Sequence, residues 1–162
     1  MKVNVQNLER KLRKSLNMLN TIKGTTIYVG ITEPELAEKA LLNEYGCWNE
    51  NANRMNPARP FLGNTFKGRS AQNIINKVRS EMTDLINYAN SEKGMLATIS
   101  SKKERTKGAM ERIAKYAANE VKLTIGDGDF VPNAEATVRK KHHSTVLVDT
   151  GMMKKAIKGW VE

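Results

Sequence analysis

The chain has 162 residues, with 27 Lys plus Arg against 17 Asp plus Glu, giving a formal net charge of +10. That length suits one compact domain with its own core, and 40% hydrophobic with 27% charged residues and no low-complexity tract argue against a disordered chain. A single cysteine, Cys47, excludes an intrachain disulfide and any multi-cysteine zinc site.

Met1 to Lys14 is polar and basic, without the apolar core of a secretory leader, and no stretch approaches the roughly 18–20 apolar residues that would span a bilayer. The expectation is a soluble protein of the cytoplasm with no membrane partner. Its surplus of positive charge favours attraction to polyanions, nucleic acid or acidic protein, and says nothing of fold.

In chain order, Val5, Leu8, Leu12, Leu16 and Leu19 make one face of an amphipathic helix over 5–19, with Arg10, Lys11, Arg13 and Lys14 elsewhere on it. Residues 25–31, rich in β-branched and aromatic side chains, predict a strand. Pro34 suits the first turn of a helix that carries Leu36, Ala37, Ala40, Leu41, Glu44 and Tyr45 and stops at Gly46. Residues 46–59, Asn-rich and aperiodic, read as an exposed loop. The strongest stripe, from Ala71 through Ile74, Val78, Met82 and Leu85 to Ala89, predicts a long helix over about 64–90. Residues 95–107, ending in a charged run, read as a mobile basic loop. A further helix follows Gly108, with Met110, Ile113, Ala114, Ala117 and Val121 on one face. Next come a turn at Gly126–Asp129, a short helix at 134–141, an apolar stretch at 145–148, a helical turn at 152–157 and a last strand at 158–162. The fold class is α+β: one domain over 1–162, with a small antiparallel sheet pairing 25–31 with the C-terminal strand and several helices packed on it.

Catalytic and metal-binding patterns are weak. His142 and His143 are adjacent, so their side chains diverge, and no third ligand is near in sequence. Cys47 follows a helix C-terminus, whose dipole disfavours a thiolate, and reads as a partly buried small hydrophobe. Gly126-Asp127-Gly128-Asp129 lacks the remaining ligands of a calcium loop and reads as turn chemistry. Asp149-Thr150-Gly151 matches the aspartic-protease triplet, yet basic residues follow it, and a cap on the 152–157 helix explains it better. No cofactor, metal or catalytic residue is assigned, and the chain reads as a non-enzyme. Two basic runs, Lys102, Lys103, Arg105 and Lys107, and Arg139, Lys140 and Lys141, are candidate polyanion contacts. They lack interleaved aromatics, so a dedicated base reader is not expected.

The segment Asn56-Pro57-Ala58-Arg59-Pro60-Phe61-Leu62 is conformationally distinctive. Each proline fixes its own φ and pushes the residue before it into extended geometry, so the backbone is stiff and presents Arg59, Phe61 and Leu62 at low entropic cost. The bland alternative is a rigid connector that docks Phe61 and Phe66 into the domain's own core.

Together these residues resemble the tail-completion, or head–tail joining, proteins of tailed bacteriophages. The short strand ending Val29-Gly30-Ile31, the helix ending Glu44-Tyr45-Gly46, the Pro57-Ala58-Arg59-Pro60-Phe61-Leu62 run, a long helix, and Leu147-Val148-Asp149-Thr150-Gly151-Met152 before a last strand occur in that family's order over residues 24–162. The Asn-rich stretch before Pro57 and the Lys/Arg-rich 102–107 run depart from the pattern. The resemblance implies a structural protein of the virion neck, made in the host bacterial cytoplasm. It would form a hexameric ring with itself and meet the head-closure protein on one side and the tail terminator or tail tube on the other. Contact with DNA in the lumen is a further expectation. The expected docking residues are Glu44, Tyr45, Trp48, Pro57, Arg59, Pro60, Phe61 and Leu62. The runner-up reading is a basic nucleic-acid-binding accessory protein.

Overall fold

The computed structural model describes residues 5–162; residues 1–4 lie outside the described part, as do the side chains of Val5 and Ala52. The described chain runs α1 (Val5–Asn20), β1 (Ile27–Gly30), α2 (Pro34–Tyr45), β2 (Cys47–Asn49), a 3₁₀ turn (Glu50–Ala52), β3 (Arg54–Asn56), α3 (Phe61–Thr65), α4 (Gly68–Asn90), α5 (Glu92–Leu96), α6 (Ile99–Asp127), α7 (Glu135–Lys141), α8 (Met152–Ala156) and β4 (Lys158–Val161). The α+β class holds: a small antiparallel strand set packs against helices, two of them long.

Helix α6 is the spine. Its buried residues Ala109, Met110, Ile113, Ala114, Ala117, Ala118, Val121 and Ile125 recur at three- and four-residue spacing and serve two apolar clusters in succession. Near its start, Ala109, Met110 and Ile113 pack with Met18 of α1 and Leu85 and Ala89 of α4. Towards its end, Ala118, Val121 and Ile125 pack with Ala40 of α2, Phe61 of α3, Phe130, Leu147 and Ile157. The alanines let neighbours approach closely. A Cβ at Gly159 of β4 would fall 2.1 Å from the Ala114 carbonyl oxygen, so that strand lies directly on the helix backbone and only glycine fits there.

Strands β1 and β4 pair antiparallel in the register Ile27↔Val161 to Gly30↔Lys158, as the sequence reading expects. Two bonds between Thr26 and Glu162, at 2.7 and 3.0 Å, extend the ladder. The opposed rings of Tyr28 and Trp160 stack with centroids 5.5 Å apart, a cross-strand aromatic pair of the kind that stabilises short ribbons.

Three expectations are corrected. Residues 46–59 are not simply a loop: β2 and β3 form an antiparallel hairpin in which Trp48 opposes Met55. Strands of three residues are too short for alternation to be legible, and Asn53, at φ 44°, takes the left-handed turn conformation that asparagine tolerates. Residues 95–107 are not a loop either. They hold the end of α5 and the first turns of α6, started by Thr98, whose hydroxyl accepts the Ser101 N–H at 3.2 Å. The charged run is the solvated face of that helix, and Gly108 sits inside α6 rather than before it. The long helix begins at Gly68, because Phe61–Thr65 forms a separate short helix that ends at Phe66. In the apolar 145–148 stretch Leu147 is buried with φ 61°, a left-handed conformation.

Candidate docking surface

The segment from Glu44 to Phe66 is organised by one buried carboxylate. Glu44, on the last turn of α2, accepts the backbone N–H of Leu62 at 2.9 Å and of Gly63 at 2.8 Å. These are among the orphan donors at the start of α3, so the carboxylate caps that helix while tying α2 to it. Arg59 supplies the second brace. Its N–H donates to the Asn43 carbonyl at 2.7 Å, and its guanidinium donates to the carbonyls of Val131 at 3.0 Å and Pro132 at 3.2 Å. Partial burial lowers the Arg59 guanidinium from its ordinary value. Thr65 closes the far end, its hydroxyl oxygen 2.7 Å from the Phe61 carbonyl and 2.8 Å from the Thr124 hydroxyl of α6, with one proton to give to either. At Gly46, with φ 77°, an added Cβ would lie 2.7 Å from the Asn56 carbonyl oxygen and 2.9 Å from the Ala58 nitrogen. The turn out of α2 therefore requires glycine on two counts.

This geometry divides the expected docking residues. Phe61, only 1% exposed, is a core residue between α2 and α6, and Leu62 packs half-buried against the same cluster. Glu44 is buried and bonded to backbone, so neither it nor Phe61 is available to a partner. The stiffness of the two-proline run is spent on seating Phe61, the connector reading, although Phe66 itself stays half exposed. Pro57 is exposed and Pro60 half-buried. Tyr45, 74% exposed, and Trp48, 55% exposed, do face solvent.

Three further apolar residues of these two elements are exposed: Leu41, one turn before Tyr45; Leu42; and Met55, the cross-strand partner of Trp48. The sequence carried a sign of this. Helix α2 has more apolar positions than one buried face needs, and Leu41 shares a flank with Tyr45 while Ala40 and Glu44 turn inward. Beside this patch runs an open cleft of about 1040 Å³ between α2, the hairpin and the 132–134 and 147–153 segments.

The remaining candidates take structural places. Cys47 is half-buried, and its sulfur accepts a hydrogen bond from Asn56 Nδ2 at 3.5 Å. Thr150 Oγ1 accepts the Met152 N–H at 3.4 Å, while Gly151 holds the N-cap position of α8. Asp149 lines the cleft. His142 ends α7 in a left-handed conformation, and His143 Nδ1 is buried without a hydrogen-bond partner. Among the described residues no group of three His, Cys, Asp or Glu side chains comes together as a metal site, and no helix is long and apolar enough to cross a membrane.

The two basic runs belong to separate elements. Lys102, Lys103, Arg105 and Lys107 lie on α6, where Arg105 covers the Tyr88 ring at 4.0 Å and Lys107 approaches Glu111 at 3.9 Å. Arg139 and Lys140 are exposed on α7, and Lys141 turns inward to donate to the Val148 carbonyl at 2.7 Å.

Compared with protein-family models, curated proteins and solved structures, the chain gives no significant match.

Proposed function

We propose that this chain is a structural virion-morphogenesis protein of a tailed phage, joining the neck or head-closure complex to the tail without catalysing a reaction. One observation carries the reading on the structural side: Leu41, Tyr45, Trp48 and Met55 stand exposed on a frame that Gly46, Glu44 and Arg59 hold rigid. Two such pairs of large apolar side chains, Leu41 with Tyr45 on α2 and Trp48 with Met55 on the hairpin, offer a partner apolar contact area. Aromatic anchors on a preorganised frame are what strong interfaces use. The ordered motifs of residues 24–162 supply the class of assembly.

Two separate exposed apolar regions allow contact between unlike faces of successive copies. A second exposed stripe, Leu8, Leu12 and Leu16, lies on α1 among Arg10, Lys11, Arg13 and Lys14. One of these regions meeting the other on the next copy is a heterologous contact, the geometry that closes into rings. The net +10 of each copy opposes ring formation in free solution, so the isolated chain is expected to sediment as a monomer at physiological salt and to assemble on its neck and tail partners.

The test is electron microscopy of particles made without the protein. Filled heads beside separate, complete tails support the reading, and adding the purified chain back restores joined particles. Normally joined virions in its absence overturn it.

A further inference from the structure

Just past the end of helix α1, one side-chain hydrogen bond fastens the chain to the first turns of α6, some 80 residues on in sequence. The Thr21 and Thr106 hydroxyls share a hydrogen bond of 2.7 Å, and Thr106 also donates to the Lys102 carbonyl at 2.9 Å. On the other side of α1, Ser15 accepts from Asn90 Nδ2 of α4 at 3.0 Å, which fixes the rotation of the helix. Lys14, beside Ser15, and Lys102, one turn before Thr106, are thereby brought together. The Lys14 ammonium is lowered from its ordinary value, first by desolvation and then by the charges of Arg10 and Lys102. Among the described residues no carboxylate lies within 4.0 Å of Lys14, Lys102 or Lys103. Neighbouring cations are already engaged: Arg13 with Glu9 at 2.7 Å and Arg105 with the Tyr88 ring. Two helices thus converge on a cluster of like charges that the protein itself leaves unneutralised.

We propose that Arg10, Lys14, Lys102 and Lys103 form a binding surface for the phosphate backbone of duplex DNA. Four residues along a helix rise about 6 Å, so the row from Arg10 to Lys14 matches about two phosphates of one strand, whose axial rise is about 3.4 Å each. Lysine predominates. Its compact, rotatable ammonium binds phosphate as a point charge, and a strip of cations with no carboxylate of the described residues in contact matches the uniform charge of a phosphate backbone. Tyr88, the ring beside this junction, is occupied by Arg105, so it does not serve as a platform for an unstacked base, and the duplex is favoured over a single strand. The inference does not depend on the proposed role in tail joining, and it holds or fails with the charges alone.

The experiment is fluorescence anisotropy of a labelled mixed-sequence duplex of about 30 base pairs, titrated with the full chain between about 50 and 200 mM NaCl. The wild type is expected to bind with a log–log salt slope of about −4, the value for four neutralised phosphates. K14Q/K102Q/K103Q should flatten that slope by about 3 and weaken binding at least about tenfold at 100 mM. R139Q/K140Q/K141Q should leave the slope unchanged. Glutamine keeps helix propensity close to that of lysine, and circular dichroism confirms that both variants are folded. Without any variant, bound duplex should shield Lys14, Lys102 and Lys103 of the wild type from amine-modifying reagent while Lys140 still reacts. An unchanged slope in the first variant, loss in the second instead, tighter binding of the single strand, or displacement of DNA by polyglutamate at lower charge concentration each overturns the proposal. The last outcome would assign the surface to an acidic protein.

Discussion

Glu44 accepts the backbone N–H of Gly63 at 2.8 Å, so the end of α2 is bound to the start of α3 by a buried charge rather than by apolar contact alone. With the Leu62 bond beside it, this carboxylate decides where the two-proline run enters the core. Removing it leaves two backbone donors facing a void. Glu44→Ala should cost about 1–3 kcal/mol of unfolding free energy, and Glu44→Gln, which keeps one acceptor, less. Urea-denaturation midpoints of the two variants, in that order, are the check.

Gly159 offers a sharper steric case. Its α-carbon faces the Ala114 carbonyl so closely that a single methyl cannot be housed without moving β4 off α6. Gly159→Ala should destabilise by about 1–3 kcal/mol or more and weaken protection of the Ile27–Gly30 amides in hydrogen exchange. Gly151→Ala would meet no atom within 4 Å, so it carries only the strain of its positive φ and should cost less.

Glu81, buried on α4, lies between Arg112 at 2.7 Å and Lys77 at 2.8 Å. The Arg112 hydrogen bonds hold its carboxyl below the ordinary value of 4.5, against the opposing effect of burial and with further help from Lys77. A lowered carboxylate stabilises the fold fully above its unfolded value and loses that contribution as pH falls through the folded one. Glu81→Gln should therefore be less stable than wild type at pH 7, by about 1–3 kcal/mol, and the difference should shrink as the pH is taken below about 4. Denaturation series across that range test the sign.

Tyr45 and Trp48 make few demands on the fold, since both stand largely in water. Tyr45→Ser with Trp48→Ser should leave the urea midpoint within about 0.5 kcal/mol of wild type while abolishing the restoration of joined particles. Restoration at wild-type level would remove the patch from the interface.

The long-range architecture was legible where periodicity was sustained. The α4 stripe and the α6 face from Met110 onward follow from spacing, and the strand at 25–31 from β-branched content; that it pairs with the C-terminal strand is a choice of topology that spacing does not dictate. The hairpin was not legible, because three-residue strands give period-2 alternation no room and the Asn-rich composition resembles a loop. Gly108 misled in the opposite direction. An isolated glycine inside a helix costs about 1 kcal/mol, and the Thr21–Thr106 bond and the packing of Ala109 and Met110 outweigh it. At the candidate surface, Tyr45 and Trp48 could be read from the sequence as exposed. The inward turn of Glu44 and Phe61 could not, because it depends on bonds to Leu62 and Gly63 that the stiff proline backbone permits without specifying.

The β1–β4 ribbon joins segments about 130 residues apart, and closing a flexible loop of that length costs about 4 kcal/mol on the logarithmic scaling of chain entropy. Contacts between α4 and α6 span far shorter stretches and can form first. The helices then act as a template on which the ribbon is laid down late, and the speed limit of refolding should sit in that final closure rather than in helix formation.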